Sequence, residues 1–317
     1  MSSNDRHEPQ NPFAPAEYAK LTGFEGSWRD TWWRRDFLKM LVARWGLDAA
    51  PGALLDVGCG VGHWGRTLAP LFDELPELHG IDIEQAFVER AASAAGELGL
   101  EATYCKGSAD AIPYEDDRFD IVTCQTVMMH VPDAAAAIAE MRRVLRPGGL
   151  MLLAEPNNIA GYLSYLMSQP RPGWQYVRQQ LDFYYICMNG KIACGMGDSS
   201  IGDQLPALLA AAGLVDIDVA LNESCPALVP PYPSARQQIE RDFLREHIEG
   251  GSWWMGFGPR ENALRFYRAG GGKDDDFDRI WPDVMAFQQR VAENLDAESY
   301  TGGRGPMMYL VTGRKAA

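Results

Sequence analysis

The sequence lacks the features that mark membrane, metal-binding and nucleic-acid-binding proteins. No stretch reaches the roughly 18 uninterrupted apolar residues of a membrane helix, and the polar segment 1–12 lacks the apolar core of a secretory signal. The six cysteines include no CxxC pair, and the histidines do not cluster at metal-ligand spacing. With 29 Lys and Arg against 43 Asp and Glu, the net charge of −14 disfavours binding to phosphate backbones and anionic membranes. We therefore expect a cytoplasmic protein with reduced thiols, no metal, and no nucleic-acid or membrane partner.

The chain is predicted to form one α/β core domain. From residue 53, short apolar runs alternate with helical spacing, which is typical of a parallel sheet covered by helices on both faces. The first five strands are predicted at 53–57, 78–83, 103–106, 119–125 and 150–155. A helix at 201–212, a sixth strand at 215–221 and a last strand at 307–312 follow.

Two long segments do not follow the alternation of strand and helix, and we interpret them as insertions. The first is rich in aromatic residues and the second contains helical patterns, so we expect a helical cap that forms the substrate pocket. The glycine and aspartate run at 270–278 predicts an exposed linker inside the second insertion. The predicted segments are an N-terminal extension at 1–30, a cofactor-binding core at 31–155, an insertion at 156–200, a core helix and strand at 201–224, a helical insertion at 225–305 and the last core strand at 306–317.

A glycine-rich turn follows the first predicted strand. The stretch 54–65 runs from an apolar strand through Gly58, Gly60 and Gly62 into a predicted helix. Glycine permits positive φ and a close backbone approach, and a helix N-terminus offers free N–H groups to an anionic ligand group. Because Gly60, Gly62 and Gly65 also satisfy the dinucleotide pattern GxGxxG, the turn alone does not define the ligand.

Two carboxylates near this turn favour a nucleoside that carries an amino acid. Asp56 precedes the first glycine by two residues, which suits a ligand ammonium group better than a pyrophosphate. Asp82 lies at the end of the second predicted strand, where its oxygens can accept hydrogen bonds from both ribose hydroxyls. Downstream, GSADAIPY at 107–114 leads into RFDIV at 118–122, and RVLRPGG at 143–149 closes the fourth predicted helix.

This ordered set of motifs resembles the class I S-adenosylmethionine-dependent methyltransferases. Within that class it is similar to the methyltransferase type 11 group, typified by quinone-biosynthesis methyltransferases. The resemblance is close over about 53–155 and looser over 201–221. It implies a Rossmann-like seven-stranded sheet of order 3-2-1-4-5-7-6 with an antiparallel last strand, helical insertions forming a cap, and S-adenosylmethionine as cofactor.

The resemblance also implies which residues contact the methionine, ribose and adenine parts of the cofactor. Asp56, Gly58 and Gly60 match the positions that hold the methionine part. Asp82 matches the ribose ligand, and Ile83 beside it matches an apolar contact to the adenine.

Two further stretches match cofactor-contacting positions of the family. Ser108, Ala109 and Asp110 fall at the edge of the adenine, where family members often carry Asp in place of Ser108. Whether Ser108 or Asp110 meets the adenine amino group is therefore left open. The end of the fourth strand matches the position under the cofactor near its sulfonium: Gln125, Thr126 and Val127.

Two residues are candidates for catalysis, and each has a structural alternative. His130 follows the fourth strand and could act as a general base, or it could simply pack within its loop. Glu155 ends the fifth strand and could orient an amine or take a proton, or it could fix a loop by hydrogen bonding. Asn157, Tyr184 and Tyr185 are candidates for substrate binding; the alternative for the tyrosines is the core of the cap.

The expected activity is methyl transfer from S-adenosylmethionine to a small-molecule acceptor. A sulfonium supplies its own leaving group, so the protein has mainly to align the reactants and exclude water. The reacting atom of the acceptor, oxygen, nitrogen or carbon, is left open, as is the oligomeric state. The alternatives are an NAD(P)-dependent oxidoreductase built on the same glycine turn and a non-catalytic binding protein with the methyltransferase fold.

Overall fold

The structure of the protein, a computed structural model, describes residues 29, 31–47, 51–167, 172–223, 225–249, 257–303 and 305–317. The predicted extension at 1–30 lies outside these residues except for Arg29. Trp253 and Trp254, two further aromatic candidates for a substrate cavity, also lie outside them. Across the described ranges, no helix has the length and apolarity to cross a bilayer, and no group of His, Cys, Asp or Glu could hold a metal ion.

The core is a seven-stranded sheet whose order matches the prediction. Its first strands are β1 (Ala53–Val57), β2 (Glu77–Asp82), β3 (Ala102–Lys106), β4 (Phe119–Gln125) and β5 (Leu145–Pro156). Farther along the chain are β6 (Leu214–Leu221), the short pair β7 (Ala227–Leu228) and β8 (Gly302–Gly303), and β9 (Met308–Lys315). The sheet order is β3-β2-β1-β4-β5-β9-β6, and β9 is antiparallel to both neighbours. The predicted order 3-2-1-4-5-7-6 with an antiparallel last strand is therefore confirmed.

Strand β5 begins five residues earlier than predicted. Leu145 already pairs with Phe119 of β4, and a register shift follows before Leu150 pairs with Ile121. Gly148 has a φ of 76° inside this irregular stretch. The residues expected to form a tight turn, 147–149, therefore form a bulge within the strand, because left-handed glycine lets the backbone bend without leaving the sheet.

The helices are α1 (Arg35–Arg44), α2 (His63–Leu68), α3 (Gln85–Glu97), α4 (Ala134–Val144), α5 (Asn158–Leu166), α6 (Trp174–Ala193), α7 (Leu205–Ala211), α8 (Ala235–Glu249), α9 (Arg260–Ala269) and α10 (Asp274–Asp296). The helix expected at 201–212 is divided into a 3-10 helix, Ile201–Gln204, and α7. Pro206 lies in the first turn of α7, where its missing N–H costs no helical hydrogen bond.

The strands place alternate side chains on opposite faces of the sheet, and each face has its own apolar core. Leu55 of β1 and Leu153 of β5 pack on the face covered by α4 and α7. Leu54 and Leu152, their neighbours in sequence, pack on the other face with α1 and α2. This period of two is the pattern expected for a sheet buried on both sides.

The two insertions fold together into one helical cap, defined as α5, α6, α8, α9 and α10. The cap has a third core of its own that is rich in aromatic side chains. Helix α6 and the end of α9 cross very closely, since a Cβ at Gly190 would lie 1.7 Å from the carbonyl oxygen of Phe266. A Cβ at Gly270 would lie 2.0 Å from the carbonyl oxygen of Ile186. Only glycine at both positions permits this contact.

The prediction of an exposed linker at 270–278 is wrong, and the contact between α6 and α9 gives the physical reason. Gly270 ends α9 against α6, and only the short turn at 271–273 separates it from α10. Asp274, Asp275 and Asp276 form the first turn of α10. Carboxylates are stabilised at a helix N-terminus by its unpaired N–H groups, so an acidic run begins a helix here.

Candidate active site

The glycine turn after β1 is tied to the end of the neighbouring strand β2. Gly58, Gly60 and Gly62 all have positive φ, at 64°, 53° and 77°, and α2 begins at the next residue. The N–H of Gly60 donates to Oδ2 of Asp82 at 2.9 Å, and the N–H of Cys59 donates to the carbonyl of Ile81 at 2.8 Å. The turn therefore has a backbone conformation that glycine adopts readily, and its hydrogen bonds to β2 hold it in that conformation.

The first two glycines of the turn have different surroundings. A Cβ at Gly58 would lie 2.5 Å from Cγ2 of Val127, so Gly58 is required for packing against the residues after β4. A Cβ at Gly60 would meet no described atom within 4 Å. Gly60 thus leaves open space beside the backbone, where a ligand can approach.

Asp56 is a buried carboxylate with one oxygen available. Its side chain is 1% exposed, and Oδ2 accepts from the N–H of Gly65 at 2.9 Å. Oδ1 is buried and has no hydrogen-bond partner among the described residues. Burial raises the pKa of Asp56 to about 7. A cationic donor of the ligand would satisfy this oxygen and favour the ionised form.

Asp56 and the turn line one cavity at the carboxyl end of β1. The cavity lining is Arg29, Asp56, Gly58, Cys59, Gly60, Val61, His63, Trp64 and Gln125. The Arg29 side chain is buried, which lowers its pKa to about 10, and it lies over the ring of Trp32 at 5.3 Å. Arg29 retains its charge at neutral pH, so the cavity contains a cation and a carboxylate, the two charges that complement an amino-acid zwitterion.

Gln125 adds an unsatisfied amide to the same cavity. Both its Oε1 and its Nε2 are buried without a partner among the described residues. A buried amide without hydrogen bonds is costly, so a polar ligand group at this position would be stabilising. The structure thus brings Gln125 together with Asp56, Gly58 and Gly60, as the resemblance implies.

Arg29 is one of several cavity residues that the sequence did not identify as ligands, with Cys59, Val61, His63 and Trp64. It belongs to a Trp- and Arg-rich stretch, 28–35, that is compatible with a lid or with a packed helix. No sequence pattern links Arg29 to Asp56. Arg29 precedes α1 and reaches the cavity only through tertiary folding.

Asp82 organises two turns and lies next to an exposed apolar residue. Its Oδ1 accepts from the N–H of Glu84 and its Oδ2 from the N–H of Gly60, each at 2.9 Å. Burial raises the pKa of this carboxyl group. Ile83 is 61% exposed at the same edge. Since each carboxylate oxygen has a second lone pair, Asp82 keeps the capacity to accept from a ribose while Ile83 offers an apolar surface.

The predicted adenine-edge residues lie in a short turn beside Asp82. The N–H of Gly107 donates to the backbone carbonyl of Asp82 at 3.0 Å. The hydroxyl of Ser108 donates to Oδ1 of Asp110, and Ser108 also forms a bridge with Ala111. Ser108 and Asp110 thus form one polar pair, with Ala109 between them.

The chain bends sharply at the end of β4. Thr126 has a φ of 54°, which is rare for a β-branched residue and costs of order 1–3 kcal/mol. Its N–H donates to the carbonyl of Ala154 at 2.9 Å, which holds the strained residue to β5. Residues 127–130 then form a compact turn, here named the β4 turn. Backbone strain of this kind is concentrated at functional sites.

Glu155 holds the β4 turn from the neighbouring strand. Its side chain is 0% exposed. Oε1 accepts from the N–H groups of Val127 and Met128 at 2.7 and 2.9 Å, and Oε2 accepts from that of Met129 at 3.2 Å. Burial raises the pKa of Glu155 to about 7, whereas the three N–H donors oppose this change. These contacts favour the loop-fixing alternative for Glu155 over proton transfer.

His130 ends the β4 turn beside two cations. Burial, together with the charges of Lys191 and Arg29, lowers the pKa of His130 well below its usual range. The imidazole is therefore neutral at pH 7 and has a nitrogen lone pair, but the same lowering of the pKa makes it a weaker general base. Its role as a base remains a prediction.

The three candidates for substrate binding lie in different environments. Asn157 caps α5, since its Oδ1 accepts from the N–H of Ala160 at 3.0 Å. Tyr184 is fully buried in the cap, stacked on Tyr162 with ring centroids 4.8 Å apart. Tyr185 is 53% exposed. The alternative of a cap-core residue therefore fits Tyr184, and substrate contact by any of the three remains a prediction.

Comparisons with known proteins agree with this geometry. Residues 55–153 match the family model described as methyltransferase domain. The chain is 37% identical over 103 residues to an uncharacterized methyltransferase of Bacillus subtilis, YcgJ, covering 32% of this chain and 40% of that protein. It is 33% identical over 123 residues to a demethylmenaquinone methyltransferase of Staphylococcus aureus strain MRSA252, covering 39% of this chain and 48% of that protein. The chain thus spans less than half the length of these two relatives.

One solved structure shows the same fold along most of the chain. It is a protein of Galdieria sulphuraria provisionally assigned as a sarcosine dimethylglycine methyltransferase. The TM-score is 0.51 at 19% identity, covering 89% of this chain and 85% of that protein. At this identity the likeness concerns the fold.

These matches agree with the resemblance that the motifs carry, over residues 55–153 of the chain. Residues 55–153 match a methyltransferase domain, and the strands within them belong to the Rossmann-like sheet. The matched segment contains the whole cavity lining except Arg29. The matches give no support to an NAD(P)-dependent oxidoreductase.

Proposed function

We propose that this protein transfers a methyl group from S-adenosylmethionine to a small-molecule acceptor. The observation that carries the proposal is the free, buried Oδ1 of Asp56, in one cavity with Arg29 and beside the open backbone at Gly60. A methionine part has an ammonium and a carboxylate on one carbon, which match the carboxylate and the guanidinium. A dinucleotide pyrophosphate would instead meet the charge of Asp56.

The residues present fit the cofactor part by part. Asp56, Arg29 and the glycine turn would hold the methionine part, and Asp82 with Ile83 would hold the nucleoside. When bound, the cofactor supplies an electrophilic methyl group and its own leaving group. The chain contributes alignment, through the rigid turns after β1 and β4, and exclusion of water, through Arg29 and the tryptophans around it.

The class of acceptor follows from the cap and the charge of the chain. The cap has an aromatic core, and its first helix follows directly after β5, which supports a small, partly apolar acceptor. The net charge of −14 disfavours nucleic acid as acceptor. All six cysteines are unpaired, which is consistent with the expected cytoplasmic location.

Calorimetric titration with three ligands tests the proposal. S-adenosylmethionine and S-adenosylhomocysteine are expected to bind, and NADP⁺ is expected not to bind. Incubation of the protein and S-adenosylmethionine with metabolite extracts should then yield a product heavier by one methyl group. Binding of NADP⁺ alone would overturn the proposal, and cofactor binding without any methylated product would favour the non-catalytic alternative.

A matched pair of glycine substitutions tests the open space at the turn. Gly60→Ala is expected to weaken S-adenosylhomocysteine binding by about tenfold or more, because its methyl group would occupy the ligand's approach. Gly99→Ala is the control, since Gly99 also has positive φ and open space around it but follows α3, away from the cavity. Both variants should lose about 1–2 kcal/mol of stability from the same backbone strain. Equal affinities in the two variants would place the ligand elsewhere.

A further inference from the structure

We infer that Lys191 of the cap is a positioning residue for methyl transfer, which holds the β4 turn against Glu155 and so keeps His130 in place. The significance for methyl transfer rests on the proposed function. The contacts themselves do not depend on it, since they join the cap to the core without any ligand.

The β4 turn is held from two sides by charged groups of opposite sign. From β5, the Glu155 carboxylate accepts from three successive N–H groups of the turn. From the end of α6, Nζ of Lys191 donates to the carbonyl of Met129 at 3.1 Å. The peptide between Met129 and His130 thus has an ammonium group on its oxygen, while the preceding amides bind a carboxylate.

The backbone of the cap contacts the same peptide directly. Gly197, four residues after α6, has a φ of 76°. A Cβ at this position would lie 2.6 Å from the carbonyl oxygen of Met129 and 2.8 Å from the carbonyl carbon of His130. The segment that follows Lys191 is therefore packed against the turn as closely as glycine permits, so a displacement of the cap would displace His130.

The charges around Lys191 explain why a lysine can be buried here. Its side chain is 4% exposed, and burial lowers its pKa to about 8, while Asp198 and Glu155 act in the opposite direction. The positive charges of Lys191 and Arg29 in turn help to keep His130 neutral. Lys191 thus faces Met129 and His130 of the turn, Asp198 of the cap and Glu155 of β5. Near pH 8 Lys191 has lost about half of its charge, and with it half of the attraction to Glu155.

Amide hydrogen exchange on the ligand-free protein tests this role. In Lys191→Met, protection of the amides in the β4 turn is expected to fall by about tenfold or more. Lys191→Arg should stay within about threefold of the wild type, because it keeps a charged donor. Lys39→Met is the control, since Lys39 is exposed on α1. Lys191→Gln replaces the methionine variant if that variant does not fold.

A pH series separates a charge effect from a packing effect. After correction for intrinsic exchange, protection of the turn in the wild type should fall between about pH 7 and about pH 9.5, as Lys191 loses its proton. Lys191→Arg should not show this fall, since arginine stays charged. Unchanged protection of the turn amides in Lys191→Met would overturn the inference. An equal loss of protection in Lys191→Arg and Lys191→Met would also overturn it. Titration of the wild type with S-adenosylmethionine tests the proposed function independently.

Discussion

Replacing Asp56 with asparagine is expected to weaken S-adenosylhomocysteine binding by roughly ten- to a hundredfold. The ligand ammonium would lose a charge-assisted hydrogen bond to Oδ1, worth about 1.5–3 kcal/mol. Asparagine preserves the size of the side chain, and its amide oxygen can still accept from the N–H of Gly65. Calorimetry on the purified variant measures the change directly.

The pH dependence of binding gives an independent test of Asp56. Because burial raises the pKa of this carboxyl group to about 7, protons compete with the ligand ammonium as the pH falls through that value. Affinity of the wild type is therefore expected to rise from about pH 6 to about pH 8, and that of Asp56→Asn to change much less. Parallel pH profiles in the two proteins would contradict the role of Asp56.

Asp120 provides the matched control for Asp56. It is also a buried aspartate, and its Oδ2 accepts from the N–H of Ala53 at 2.8 Å. It lies at the start of β4, at the opposite end of the sheet from the cavity, and pairs with Arg146. Asp120→Asn is expected to lower stability and leave ligand affinity unchanged, which separates binding from folding effects.

Replacing Glu155 with alanine is expected to lower the free energy of unfolding by about 3 kcal/mol. Three N–H groups, one buried and two part-buried, would lose their acceptor, and a buried one costs about 1–3 kcal/mol when left unpaired, before the turn relaxes. Denaturant unfolding of wild type and variant measures the difference. A loss below about 1 kcal/mol would show that Glu155 does not hold the turn.

The pH dependence of the Glu155 effect has a defined sign. Burial raises its pKa to about 7 from the ordinary value of 4.5, so the folded state binds more protons than the unfolded state between these values. The stability that protonation of Glu155 contributes is fully present below pH 4.5 and is lost as the pH rises through 7. The stability difference between wild type and Glu155→Ala is thus expected to be larger at about pH 5 than at about pH 8.

Glu77 is a suitable control for Glu155. Its side chain is 57% exposed and pairs with Arg118, which is 38% exposed, and with His79, whose side chain is 7% exposed. The exposed ion pair with Arg118 contributes about 0–1 kcal/mol and the hydrogen bond to His79 about 0.5–1.5 kcal/mol, so Glu77→Ala should cost less than Glu155→Ala. A comparable loss in both variants would mean that removal of any glutamate, and not the unpaired amides of the turn, causes the effect.

The features that could be predicted from the sequence are those that depend on the spacing of residues close together in the chain. Asp56, Gly58 and Gly60 lie within five residues of each other, and Asp82 ends the next strand. Parallel strands place these ends side by side, so short-range pattern and topology together were sufficient. The strand order itself followed from the resemblance, because the alternation of strands and helices predicts a parallel sheet but not the order of its strands.

The features that the sequence did not reveal depend on contacts between distant segments. Glu155 lies 26 to 28 residues from the amides that it binds, and nothing in its own neighbourhood indicates which atoms it will meet. Gly190 and Gly270 are 80 residues apart, and only the crossing of α6 and α9 shows why both are glycine. The same holds for Arg29, whose burial in the cavity depends on tertiary folding.

On the proposed function, with the cap forming the acceptor pocket, the construction of the cap limits how this protein can acquire a new acceptor. Its aromatic core draws side chains from both insertions, which are separated in the chain by α7 and β6 of the central sheet. Exchange of one insertion alone would leave half of that core facing water, and large exposed apolar patches promote aggregation. A recombination experiment that grafts a foreign specificity onto this scaffold therefore has to transplant two non-contiguous stretches at once, in matched pairs.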